Sequence, residues 1–109
     1  MKTHFDFVDF TPSEDLRTTC YLALDQVLDH APSDAHPEAR MVKRRGGFET
    51  TVEIFSQSGY FVAHAFERTP EHSLRVAQER IESRLFQWTE SRFLDQPDLF
   101  FKFPTNVSA

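Results

Sequence analysis

Four cations stand within six residues, Arg40, Lys43, Arg44 and Arg45, with no acid among them. Side chains of this type at this density neutralise phosphate oxygens, and binding of that kind is driven by the release of counterions. A sheet-edge strand kept from aggregating by its charge explains the same run. Farther along, Arg80, Arg84, Gln87 and Ser91 fall on one flank at helical spacing, and Glu71, Glu79, Glu82 and Glu90 fall elsewhere. Two guanidinium forks on such a lane fit phosphate bidentately. Ordinary salt-bridged surface charge, with Arg84 and glutamates paired at i, i+4 positions, accounts for that lane equally well.

Other chemistry is poorly represented. Gly46-Gly47 is not followed by the Lys-Ser or Lys-Thr of a phosphate-binding loop. Five histidines occur, none in an HxH, HExxH or HxxxH pattern, and His4 and His64 approach each other only if their strands are neighbours. Glu14-Asp15 sits where a helix start uses carboxylates. Cys20 is the single cysteine, which excludes a disulfide framework or a thiolate zinc cluster and reads as a small core hydrophobe. The expectation is a chain with no catalytic residue, no metal and no cofactor.

The elements that position these groups follow from 109 residues, 39% of them hydrophobic, enough for one domain with its own core. The net charge is −5, yet it is unevenly spread: the first 39 residues hold eight acids and two bases, and the basic run follows directly. An acidic total argues against indiscriminate nucleic-acid binding and leaves local basic surfaces open. The N-terminus lacks the apolar stretch of a signal peptide, and no run is apolar enough to span a bilayer, so a cytoplasmic, non-membrane protein is expected.

Residues 3–10 alternate, with Phe5 and Phe7 on one face, and predict a strand. Ser13 predicts a helix N-cap, and Leu16, Cys20, Ala23, Leu24, Val27 and Leu28 form one buried stripe of a helix ending near Asp29. Residues 30–38, with two prolines, read as a loop, and Arg40–Arg45 as a short strand before a turn at Gly46-Gly47. Phe48–Ser56 and Tyr60–Arg68 are the clearest strands, with Gln57-Ser58-Gly59 between them. Thr69-Pro70-Glu71 starts a helix that buries Leu74, Ala77, Ile81, Leu85 and Trp88 and continues to about Arg92. The order β-α-β-β-β-α predicts an α+β two-layer sandwich, a four-stranded mixed sheet with both helices on one face.

Two parts are therefore expected: a domain over residues 1–93 and a phenylalanine-rich tail over 94–109. Leu99-Phe100-Phe101-Lys102-Phe103 is too aromatic for an ordinary disordered tail. Either it folds back over the sheet face that the helices leave open, or it is an exposed segment through which Phe100, Phe101 and Phe103 bind a partner or join two copies as a homodimer.

Over residues 1–93 the chain resembles the ribosome hibernation-promoting factor and protein Y family, also known as sigma-54 modulation proteins. The resemblance rests on the element order and on three segments. Ser13-Glu14-Asp15-Leu16-Arg17 is similar to the start of the family's first helix. Ala63-His64-Ala65-Phe66-Glu67, with Thr69-Pro70-Glu71-His72-Ser73-Leu74, is similar to its last strand turning into the second helix. Arg80-Ile81-Glu82-Ser83-Arg84-Leu85 is similar to that helix's core. The chain looks like a short form of the family. The resemblance implies a translation inhibitor of resting or stressed cells that binds the small (30S) ribosomal subunit near the decoding region. The residues supply Arg17, Arg40, Lys43, Arg44, Arg45, Arg80 and Arg84 as candidate contacts to ribosomal RNA, recognised by shape and phosphate.

Overall fold

The computed structural model describes residues 4–94. Its elements are β1 (His4–Val8), α1 (Glu14–Leu28), β2 (His36–Arg44), β3 (Gly47–Ser56), β4 (Gly59–Glu67) and α2 (Pro70–Leu94), in the expected β-α-β-β-β-α order. The sheet order is β1-β2-β3-β4. β1 and β2 are parallel and the remaining pairs antiparallel. A parallel pair needs a crossover, which α1 supplies, and antiparallel neighbours need only the two tight hairpins.

One face of the sheet is dry. Phe5, Ala39, Met41, Val52, Ile54, Ala63 and Ala65 lie under the buried stripes of α1 (Leu16, Cys20, Ala23, Leu24, Val27) and α2 (Leu74, Ala77, Ile81, Leu85). The alternation expected in β3 holds: Thr50, Val52 and Ile54 are buried, and Glu49, Thr51, Glu53 and Phe55 face away. A polar pair inside this layer is satisfied internally. Thr50 Oγ1 and Ser73 Oγ are 2.7 Å apart, and Ser73 donates to the Ala65 carbonyl at 3.3 Å, which fixes the first turn of α2 on the sheet.

Both predicted helix starts are present. The Ser13 side chain accepts the Leu16 N–H at 3.1 Å, and Thr69 Oγ1 accepts that of His72 at 3.2 Å ahead of Pro70. Several boundaries differ from expectation. β1 ends at Val8 because Asp9 turns into the left-handed region at φ 69°. The segment expected as a loop is already strand from His36, with Ala35 and Pro37 buried. Pro37 is the second residue of β2, at the start of the strand, where a missing N–H is tolerated.

The hairpin turn is Arg45-Gly46 rather than Gly46-Gly47, since Arg44 pairs with Gly47. Gly46 takes φ +89°, and a Cβ on Gly47 would run into the Glu67 carbonyl of β4, so each glycine has its own reason. α2 is described over Pro70–Leu94, and the rest of the tail expected over 94–109 lies outside the described residues. Phe100, Phe101 and Phe103 lie outside the described residues.

Candidate nucleic-acid interface

The four cations of the Arg40–Arg45 run divide once β2 is pleated. Residues 38–42 of β2 are paired with β1 and β3 alike, so Arg40 belongs to an interior strand, and edge protection does not account for it. Arg40 lies on the open face in a cross-strand row with Asp6, Thr51 and His64. Arg44 is on the same face, where its Nε donates to Glu49 Oε1 at 2.8 Å. Lys43 points to the helix side, with Nζ 4.9 Å from the centre of the Phe48 ring, and Arg45 is exposed in the turn.

Arg17 joins this end of the molecule from the first turn of α1, its guanidinium 5.4 Å from the centre of the Phe7 ring. Beneath the two cations the rings of Phe7, Phe10 and Phe48 run edge to face, with centroids 5.9 and 5.1 Å apart. A cation at the surface over such a half-buried ring gains about 0.5–1 kcal/mol and keeps its charge, so these contacts position Arg17 and Lys43 without neutralising them. Arg17, Lys43, Arg44 and Arg45 thus form one basic end, at the β2–β3 hairpin and the start of α1.

Arg80 and Arg84 make a separate site. Together with His64, Ala63, Ser83 and Gln87 they line an open groove between edge strand β4 and α2. Arg80 Nη1 donates to the His64 carbonyl at 2.7 Å, a backbone group that β4 has no further strand to satisfy. Among the described residues neither arginine forms an ion pair with a carboxylate, so intrahelical salt bridging does not account for this lane. Both guanidinium groups are left with donors free for an anion in the groove. Ser91 is exposed beyond it.

His64 and the ring platforms Phe7 and Phe48 were missing from the predicted interface. The alternation placed the phenylalanines toward the helices; only the strand order shows which cation stands above each ring. His4 and His64 sit on the two opposite edge strands with β2 and β3 between them, so they do not share a site. His64 Nδ1 instead lies 3.2 Å from Thr51 Oγ1.

Cys20 is fully buried, and burial, with a smaller effect of the Glu71 carboxylate, pushes its thiol up to about 12. It remains a neutral thiol at physiological pH, a core side chain without nucleophilic character. No described helix is long and apolar enough to cross a membrane.

No protein-family model and no curated protein matches the sequence. Solved structures do match the fold. The N-terminal domain of Protein Y from Thermus thermophilus aligns with a TM-score of 0.68 at 8% identity, covering 78% of this chain and 94% of that one. A ribosomal subunit interface protein from Coxiella burnetii aligns with a TM-score of 0.67 at 11% identity, covering 80% of this chain and 98% of that one. This chain therefore has their fold, with nearly all of each neighbour represented in it.

Proposed function

We propose that this chain is a ribosome-associated factor of the hibernation type. It binds ribosomal RNA of the small subunit near the decoding region and holds translation off in resting or stressed cells. It works in the cytoplasm by occupying a site, without catalysis and without a cofactor. The observation that carries the reading is the near-complete fold match to two proteins whose names place them at protein Y and at the ribosomal subunit interface.

The charge distribution supports it. The basic end (Arg17, Lys43, Arg44, Arg45) and the groove (Arg80, Arg84), with Arg40 on the open face, are where a phosphate backbone would be held. The acidic outer side of α1 is turned elsewhere. Recognition is by shape and phosphate, because A-form grooves hide base edges from side chains.

Co-sedimentation with purified 30S, 50S and 70S particles tests the reading. Binding to 30S and 70S but not to 50S, together with loss of cell-free translation, is the expected result. Absence of binding to every particle at about 50 mM salt, where phosphate contacts are strong, overturns it and leaves a protein that keeps the fold and acts through partners of Phe100, Phe101 and Phe103.

A further inference from the structure

The basic end and the lateral groove are joined by a run of exposed rings along edge strand β4. Phe66 is 51% exposed and Tyr60 54%, and exposed His64 and half-buried Val62 stand between them on the same face. At one end of the run the Phe66 ring lies over the hairpin that carries Arg44 and Arg45. A Cβ on Gly47, which pairs with Arg44, would stand 3.1 Å from Phe66 Cζ. Farther along, the His64 carbonyl accepts from Arg80 at 2.7 Å, which holds that guanidinium at the outer rim of the strand. Arg84 follows one helical turn on, in the same groove.

The rings and the arginines repeat at nearly the same pitch. Phe66 and His64, two apart in a strand, are separated by about 7 Å, and Arg80 and Arg84, four apart in a helix, by about 6 Å. Bases in a duplex follow one another at about 3.4 Å along each strand, so at this pitch successive paired bases do not each meet their own ring. Charge sets the orientation of a ligand. Glu49 and Glu53 stand one strand inward, opposite Phe66 and Val62, and turn phosphates outward to the arginines, whereas an uncharged base meets no such repulsion. Single-stranded nucleic acid is held in this way elsewhere, with its backbone on a basic track and its bases on aromatic side chains.

Building on the proposed RNA binding, we infer that the rim of β4 is a track for unpaired, single-stranded RNA, with successive phosphates at Arg80 and Arg84 and bases stacked on His64 and Phe66. Past Phe66 the strand reaches Arg44 and Arg45, so the groove and the basic end serve one ligand. Stacking tolerates any base, and the track therefore reads strandedness and not sequence.

Fluorescence anisotropy of the full chain with an end-labelled oligouridine of about 12 nucleotides, a length within the range of single-strand sites, tests this beside a blunt RNA duplex of the same strand length. The single strand is expected to bind about tenfold more tightly, although the duplex is the more densely charged. Phe66→Leu should weaken single-strand binding about tenfold without changing its salt dependence, and Phe66→Tyr should keep wild-type affinity. Arg84→Ala should flatten the slope against log salt by about 0.7, one single-strand phosphate contact. Phe86→Leu, at an exposed ring beside the end of α1, should change neither. Duplex binding as tight as that of the single strand, or wild-type affinity in Phe66→Leu, overturns the track. Binding to 30S particles with no preference for the single strand overturns the track and leaves the ribosomal reading standing. Single-strand binding by a chain that no ribosomal particle retains supports the track and overturns the ribosomal reading.

Discussion

The two helices cover the same face of the sheet and each buries one stripe, yet what they turn to solvent differs in kind. α1 exposes Glu14 and Asp15 at its start and Asp25 near its end, is followed by exposed Asp29 and has no base in its last turn, so acids mark both ends of its outer side. Its one cation, Arg17, is held over Phe7 at the end nearest the basic hairpin. α2 carries acids too, but segregates Arg80 and Arg84 into the groove beside β4. A net charge of −5 therefore conceals an uneven surface, with cations gathered at the hairpin end and in the β4–α2 groove, the two places where the proposed function puts phosphate.

That contrast can be broken first at the level of packing. Ile81→Ala in the buried stripe of α2 is expected to cost about 2–5 kcal/mol in urea unfolding, as large-to-small core changes do. Leu22→Ala on the exposed side of α1 should stay within about 0.5 kcal/mol. Equal losses would mean that the exposed side of α1 is packed against something in solution.

A smaller effect sharpens the electrostatic half of the contrast. Arg80→Ala with Arg84→Ala should weaken binding to small subunits roughly tenfold and flatten its dependence on log salt by about 2, one unit for each phosphate contact removed. A tenfold loss with an unchanged slope would assign the two arginines to holding β4 rather than to phosphate. The smallest effect is expected from Asp25→Asn with Asp29→Asn, which should leave affinity for the particle unchanged if α1 faces away from RNA. A clear tightening would place α1 against the polyanion and reverse the proposed orientation.

Much of this arrangement is legible in the residues. The period of two in β3 separates Val52 and Ile54 from Glu49 and Glu53, and Ser13 and Thr69-Pro70 mark the helix starts, because caps and pleats are local chemistry. The start of β2 was obscured by Pro37, a residue that argues for a loop unless it stands at the beginning of a strand.

Strand order is long-range information. Without it Arg40 reads equally well as an edge residue, and His4 and His64 as neighbours. The candidate site shares that limit: the cations are visible one by one, whereas their division into a basic end, an open-face residue and a lateral groove depends on pairing. The exposed strip of Phe55, Tyr60 and Phe66 was present in the alternation, since all three are out of phase with the buried positions of their own strands. Its meaning emerges only when one face of the sheet is seen to be bare of helices.

The most direct test of the central claim is the affinity of the full chain for 30S subunits, titrated between about 50 and 200 mM salt beside the variant with Arg40, Lys43, Arg44 and Arg45 all changed to Ala. Wild-type affinity should fall steeply across that range. The variant should bind about a hundredfold more weakly at the upper end, with a slope shallower by about 3 to 4, as expected when that many phosphate contacts are lost. Wild-type binding indifferent to salt, or the same slope in both proteins, would contradict the account.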